Sequence, residues 1–116
     1  MINVTLNVKK QWFDMILSGE KKEEYREIKP YWNTRFSTLP YEWCTDNKRF
    51  LEQFIDGGTG FNQDFKHFDI IRFTNGYGKN APTFDIEFKG IRIGEGNPAW
   101  GGNGTTFIIS LGKIIK

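Results

Sequence analysis

The sequence predicts an α+β fold: a small barrel of five or six short, mostly antiparallel strands with two or three helices at its rim. Three observations lead there. Stretches that read as short strands recur along the chain, at 2–8, 22–27, 68–73, 84–93 and 107–115. Helical spacing of apolar residues is confined to the first half. All but one of the 13 glycines lie at or after Gly57, where strands must turn and bend.

Taken in order, Ile2, Val4, Leu6 and Val8 alternate with Asn3, Thr5 and Asn7, the pattern of a half-buried strand. Over 10–18, Trp12, Phe13, Ile16 and Leu17 form a helical stripe, and Gly19 stands where a helix stop belongs. Residues 22–27 alternate around Tyr25 as a second strand, with Tyr25 turned to the core. Pro30 suits the first turn of a helix that runs to Phe36. Residues 39–65 read as a helix-containing insertion: 47–55 places Phe50, Leu51, Phe54 and Ile55 inward, and the run Asp56 to Gly60 reads as a loop. The strand at 68–73 is apolar on both faces and therefore central. Gly76-Tyr77-Gly78-Lys79 is a turn, since the rest of a phosphate-loop pattern is missing. Phe84, Ile86 and Phe88 share one phase, and Ile91 and Ile93 take the opposite one after Gly90, a bulge or bend. Phe107 to Ile115 gives a closing strand pair interrupted at Gly112.

A chain of 116 residues fits one domain, 1–116. The net charge of +2 excludes a polybasic binder, so any polyanion must be gripped by local placement of charge. The single cysteine, Cys44, excludes an intrachain disulfide, and one histidine, His67, argues against a metal site of Cys and His ligands. No stretch suits a membrane span or a signal peptide, so the expectation is a cytoplasmic protein without membrane partner, metal or cofactor. Dinucleotide, phosphate-loop, nucleophile-elbow and zinc-protease signatures are all missing.

The densest chemistry lies in Gly19-Glu20-Lys21-Lys22-Glu23-Glu24-Tyr25-Arg26. On a strand Glu24 and Arg26 point the same way and Tyr25 the other, while Lys21, in the preceding turn, is free to swing to either side. Composition alone favours a solvated face with an ion pair worth about 0–1 kcal/mol. The order of residues says more. Leu6-x-Val8-Lys9, Trp12, Ile16 and then Gly19-x-Lys21-x-x-Glu24-x-Arg26 resembles the signature of the ASCH domains, a branch of the PUA-like superfamily. Glu27-Ile28-Lys29-Pro30-Tyr31-Trp32 with Arg35, the Asn75 to Gly78 turn and Phe107-x-Ile109-x-Leu111-Gly112 are similar to a bacterial and phage-associated group within it. The segment 39–65 matches least.

The resemblance implies a PUA-like barrel with a cleft between the first helix and the barrel, and an RNA or nucleotide partner held there. Lys21 and Arg26 would take phosphate oxygens, and Glu24 would accept from a base amine or a ribose hydroxyl. Lys9 and Arg35 join the binding set through the same resemblance. Trp100, in a glycine-rich loop with little apolar company, reads as a rim residue; Tyr31 and Trp32 suit packing and base stacking equally. Two enzymatic alternatives remain. A ribonuclease would use Glu24 as base with Lys21 and Arg26 on the phosphate. An amidohydrolase acting on acylated cytidine, known among small ASCH proteins, would pair Lys21 with a threonine nucleophile. Glu24 stands in that place, and a carboxylate beside Lys21 favours the charged amine where a general base must be neutral.

Overall fold

A computed structural model describes residues 3–54 and 65–115. It is α+β, with one mixed sheet of five strands in the order β1-β3-β4-β5-β2. The strands are β1 (Asn3–Asn7), β2 (Glu23–Glu27), β3 (Ile70–Thr74), β4 (Thr83–Glu95) and β5 (Thr105–Ile114). Among the described residues the helices are α1 (Lys10–Leu17), α2 (Pro30–Phe36), α3 (Tyr41–Cys44) and α4 (Asn47–Glu52), with a 3-10 turn at Pro98–Trp100. The chain divides into two compact units, one of Met1–Glu24, His67–Gly90 and Ile109–Lys116, the other of Tyr25–Lys66 and Ile91–Ile108.

In the first unit β1 runs parallel to β3, with Val4 opposite Ile71 and Leu6 opposite Phe73. A mostly antiparallel sheet does not foresee this pair. A parallel pair needs a long crossover rather than a hairpin, and α1 to α4 all lie in the chain between β1 and β3. β4 then pairs antiparallel with β3, bringing Ile86 opposite Ile71 and Phe84 opposite Phe73. These side chains form the core, and Phe13 of α1 meets Phe84 edge-on at 4.9 Å. The stripe on α1 is therefore centred on Phe13 and Ile16, which are buried, while Trp12 is half-buried and Leu17 is exposed. The 75–82 segment is a turn as expected, tied back by Asn7 Nδ2 donating to Gly76 O at 2.7 Å and Asn75 Nδ2 to Val8 O at 2.9 Å.

The second unit is built on phenylalanine. Phe107 of β5 has Phe36 at 5.1 Å, Phe50 at 5.8 Å and Phe65 at 6.2 Å between ring centroids. The expected helix at 47–55 is present as the shorter α4 with Phe50 buried; Ile55 and the run Asp56 to Gly60 lie outside the described residues. α3 was hidden from the periodicity because four residues are too few to show a period. Fully buried Asn33 locks the three helices together, its Nδ2 donating to Cys44 O at 3.0 Å and Asn47 Oδ1 at 2.9 Å.

β4 is one strand of 13 residues, and Phe84 and Ile86 face inward before Gly90 whereas Ile91 does so after it. Gly90 has φ 138°, open to glycine and strained for other residues, so the change of phase is made there. β5 is likewise continuous through Gly112 and not a pair of strands.

Arg72 and Asp85 sit opposite each other across β3 and β4, with Nε to Oδ1 at 2.7 Å and Nη2 to Oδ2 at 2.9 Å. The hydrogen bonds from Arg72, and then its charge, hold the Asp85 carboxyl below the usual aspartate range despite partial burial. A depressed carboxyl adds stability above its unfolded value, and that stability is lost as pH falls through the folded one. Wild type and Asp85→Asn should therefore differ in urea midpoint above about pH 4 and converge in stronger acid. A gap unchanged down to about pH 2 would contradict the pairing.

Candidate functional site

The turn from α1 to β2 places Lys21. Gly19, at φ 88°, reverses the chain, and Lys21 N returns a hydrogen bond to Met15 O at 2.9 Å, so the residue is held against the end of its own helix. Its side chain is not free to swing. Lys21 Nζ lies 3.3 Å from Glu24 Oε1, with side-chain exposures of 1% and 8%. It donates to Glu23 O at 2.7 Å and sits 5.2 Å from the centroid of Trp12. Trp12 thus leaves the core stripe because its ring faces the ammonium. A buried lysine is tolerable only when its charge and donors are all met, and here carboxylate, carbonyl and ring face do so together. The expected ion pair exists, but as a buried one.

In the second unit, Arg26 Cζ lies 5.0 Å from the Trp32 ring centroid. Trp32 stacks on Phe36 at 5.2 Å and 11°, meets Tyr31 edge-on at 4.7 Å, and Arg35 Cζ lies 4.3 Å over Tyr31. Pro30 at the first helical position starts α2 and sets the phase of this series. Two cations thus flank two adjacent rings, in the order Arg26, Trp32, Tyr31, Arg35. Tyr31 is 53% exposed and Arg35 is exposed, while Trp32 and Arg26 are half-buried.

Tyr25 is half-buried and not core. It lies on β2, at the end of the strand order, and its hydroxyl accepts from Asn97 N at 2.9 Å. A Cβ on Gly96 would meet the Tyr25 ring at 2.5 Å, so glycine allows this close approach. Tyr25 thereby holds the loop that carries Trp100, which is half-buried in the 3-10 turn. Lys9 is exposed at the N-cap of α1.

Of the predicted set, Lys21 lies with Glu24, beside Trp12, and Arg26 lies with Trp32, Tyr31 and Arg35. Tyr41 and Lys66 were missed. With Tyr31, Thr34 and Arg35 they line a groove of about 490 Å³ in the second unit. One signal pointed to Tyr41: Pro-Tyr occurs at 30–31 and again at 40–41, each time at a helix start. A smaller groove of about 280 Å³ lies beside the end of α1, with Lys21, Lys22 and Lys113 on its walls. Cys44 is buried, with Ser37 Oγ 3.5 Å from its sulfur. Among the described residues no cluster of His, Cys, Asp and Glu could hold a metal ion, and no helix is long and apolar enough to cross a membrane.

No protein-family model, curated protein or solved structure matches this chain.

Burial of the Lys21 and Glu24 pair carries a consequence for stability. Removing one partner leaves the other charge uncompensated, so Lys21→Met and Glu24→Gln should each cost about 3–5 kcal/mol in urea unfolding. The pair Lys21→Met with Glu24→Leu should recover much of that loss, because neither charge then remains buried. Single variants as stable as wild type would mean the pair is solvated.

Proposed function

We propose that the protein is an RNA- or nucleotide-binding module of the ASCH type, with a PUA-like barrel as its framework. The observation that carries this reading is a pair of adjacent aromatic rings with a guanidinium on each, Arg26 on Trp32 and Arg35 on Tyr31. Guanidinium planes and aromatic faces are the surfaces on which single-stranded bases stack, and the cations meet the phosphates between them. The +2 net charge fits a modest, locally placed grip and not a polyanion sponge.

The ribonuclease alternative is less well supported. Its base, Glu24, is 6% exposed and paired with Lys21, so neither group is available to a ribose hydroxyl or a phosphate as the side chains stand.

Labelled single-stranded RNA, followed by fluorescence anisotropy in chelator, should bind with an affinity that falls with salt at a log-log slope of roughly two, from about 0.7 for each of two or three contacted phosphates. The RNA should stay intact. Absence of binding at low salt refutes the module. Cleavage by wild type that disappears in Glu24→Gln, with circular dichroism unchanged, would make the protein a ribonuclease.

A further inference from the structure

We infer that the groove between α2 and α3 is the seat of one nucleotide of a single-stranded RNA, with the base on Tyr41 and the phosphate between Arg35 and Lys66. This rests on the binding reading above and assigns the contact to residues outside the Lys21, Glu24 and Arg26 signature. Three features of the groove converge.

The first is charge. The lining holds two cations, Arg35 and Lys66, and no carboxylate, so an anion entering it meets attraction without a competing acid. Lys66 is positioned from both sides of its backbone: Lys66 N donates to Phe36 O at 2.9 Å and Phe65 bridges to Ser37. Its Nζ donates to Thr34 O at 3.2 Å, and an ammonium with one donor engaged has two left for phosphate oxygens.

The second is exposed aromatic surface. Tyr41 is 69% exposed and Tyr31 is 53% exposed, and both line the one groove. Neither ring is used by the phenylalanine core. Tyr31 already carries Arg35 on one face at 4.3 Å, which holds that guanidinium at the groove's edge; Tyr41 is the ring left open for a base.

The third is size. About 490 Å³ is the volume of a small-molecule site and suits one nucleotide rather than a duplex. A protein partner is a poorer occupant, since a groove of this size is far smaller than the surface a stable protein interface buries.

The test uses the full chain and a short uridine oligonucleotide, with uridine 5′-monophosphate and inorganic phosphate as separate arms. Tyr41→Ala should weaken oligonucleotide binding about five- to 150-fold with the salt slope unchanged, the loss of one stacked base. Tyr41→Phe should restore it. Lys66→Gln and Arg35→Gln should each weaken binding, and the two together should lower the slope by about 0.7, one phosphate. All three positions carry exposed side chains, and circular dichroism should be that of wild type. If wild type binds the oligonucleotide and Tyr41→Ala and Lys66→Gln bind equally well, the groove assignment is wrong and the RNA-binding reading stands. If wild type does not bind it, both fail. Monophosphate binding as tight as the oligonucleotide would replace the strand by a free nucleotide.

Discussion

The burial of Lys21 constrains everything near it. An ammonium withdrawn from water must find partners for its charge and its donors, and Lys21 has them in Glu24 at 3.3 Å, Glu23 O at 2.7 Å and the face of Trp12. Each of those partners is fixed by a different piece of local structure. Trp12 depends on the phase of α1, Glu23 and Glu24 on where β2 begins, and Lys21 itself on the reversal at Gly19. A shift of one residue in any of these would strand the charge. The short, charge-dense turn is thus a structural joint, held by electrostatics in a place where most proteins of this size would use apolar contact.

Away from that joint, the second unit follows a different plan. Its interior is a set of phenylalanines around Phe107, which has no polar atom to satisfy, and the polar requirement is concentrated in Asn33. Because Phe36, Phe50 and Phe65 fill the core, the tyrosines at 31 and 41 are not needed there and stay at the surface beside Arg35 and Lys66. The exposed rings and the two cations line one groove that holds no carboxylate, and that is why the groove, and not the buried pair, invites a ligand.

How far the sequence revealed this differs by element. β1 and α1 were legible because each carries several apolar residues in an unbroken period, and β2 and α2 because Gly19 and Pro30 mark where they can start. The phase change at Gly90 was legible for the same reason. The parallel pairing of β1 with β3 was not, since strand direction is set by the connection and not by the pattern within a strand. At the site, Lys21 and Glu24 were found but their burial was not. Spacing shows that two charges can meet; it does not show how much of the surrounding chain closes over them. Lys66 could not be found, being brought to α2 by contacts more than two dozen residues away in sequence, Lys66 N to Phe36 O and Nζ to Thr34 O.

These placements bear on chemistry as well as binding. For Glu24 to take a proton from a ribose hydroxyl, or Lys21 to meet a phosphate, the pair must first part, and one charge is then left uncompensated in a site almost closed to water. A penalty on the order of the 3–5 kcal/mol lost on deleting a partner, if added to a reaction barrier, slows turnover by about 10²- to 10⁴-fold. Catalysis through this pair would need a substrate whose binding replaces every contact that Lys21 gives up, carbonyl and ring face included. A stacked nucleotide at Tyr41 and Arg35 makes no such demand, because those groups already stand exposed and their charge is not answered within the groove. On energetic grounds the contact proposed at the groove asks less of the structure than catalysis through the Lys21 and Glu24 pair would.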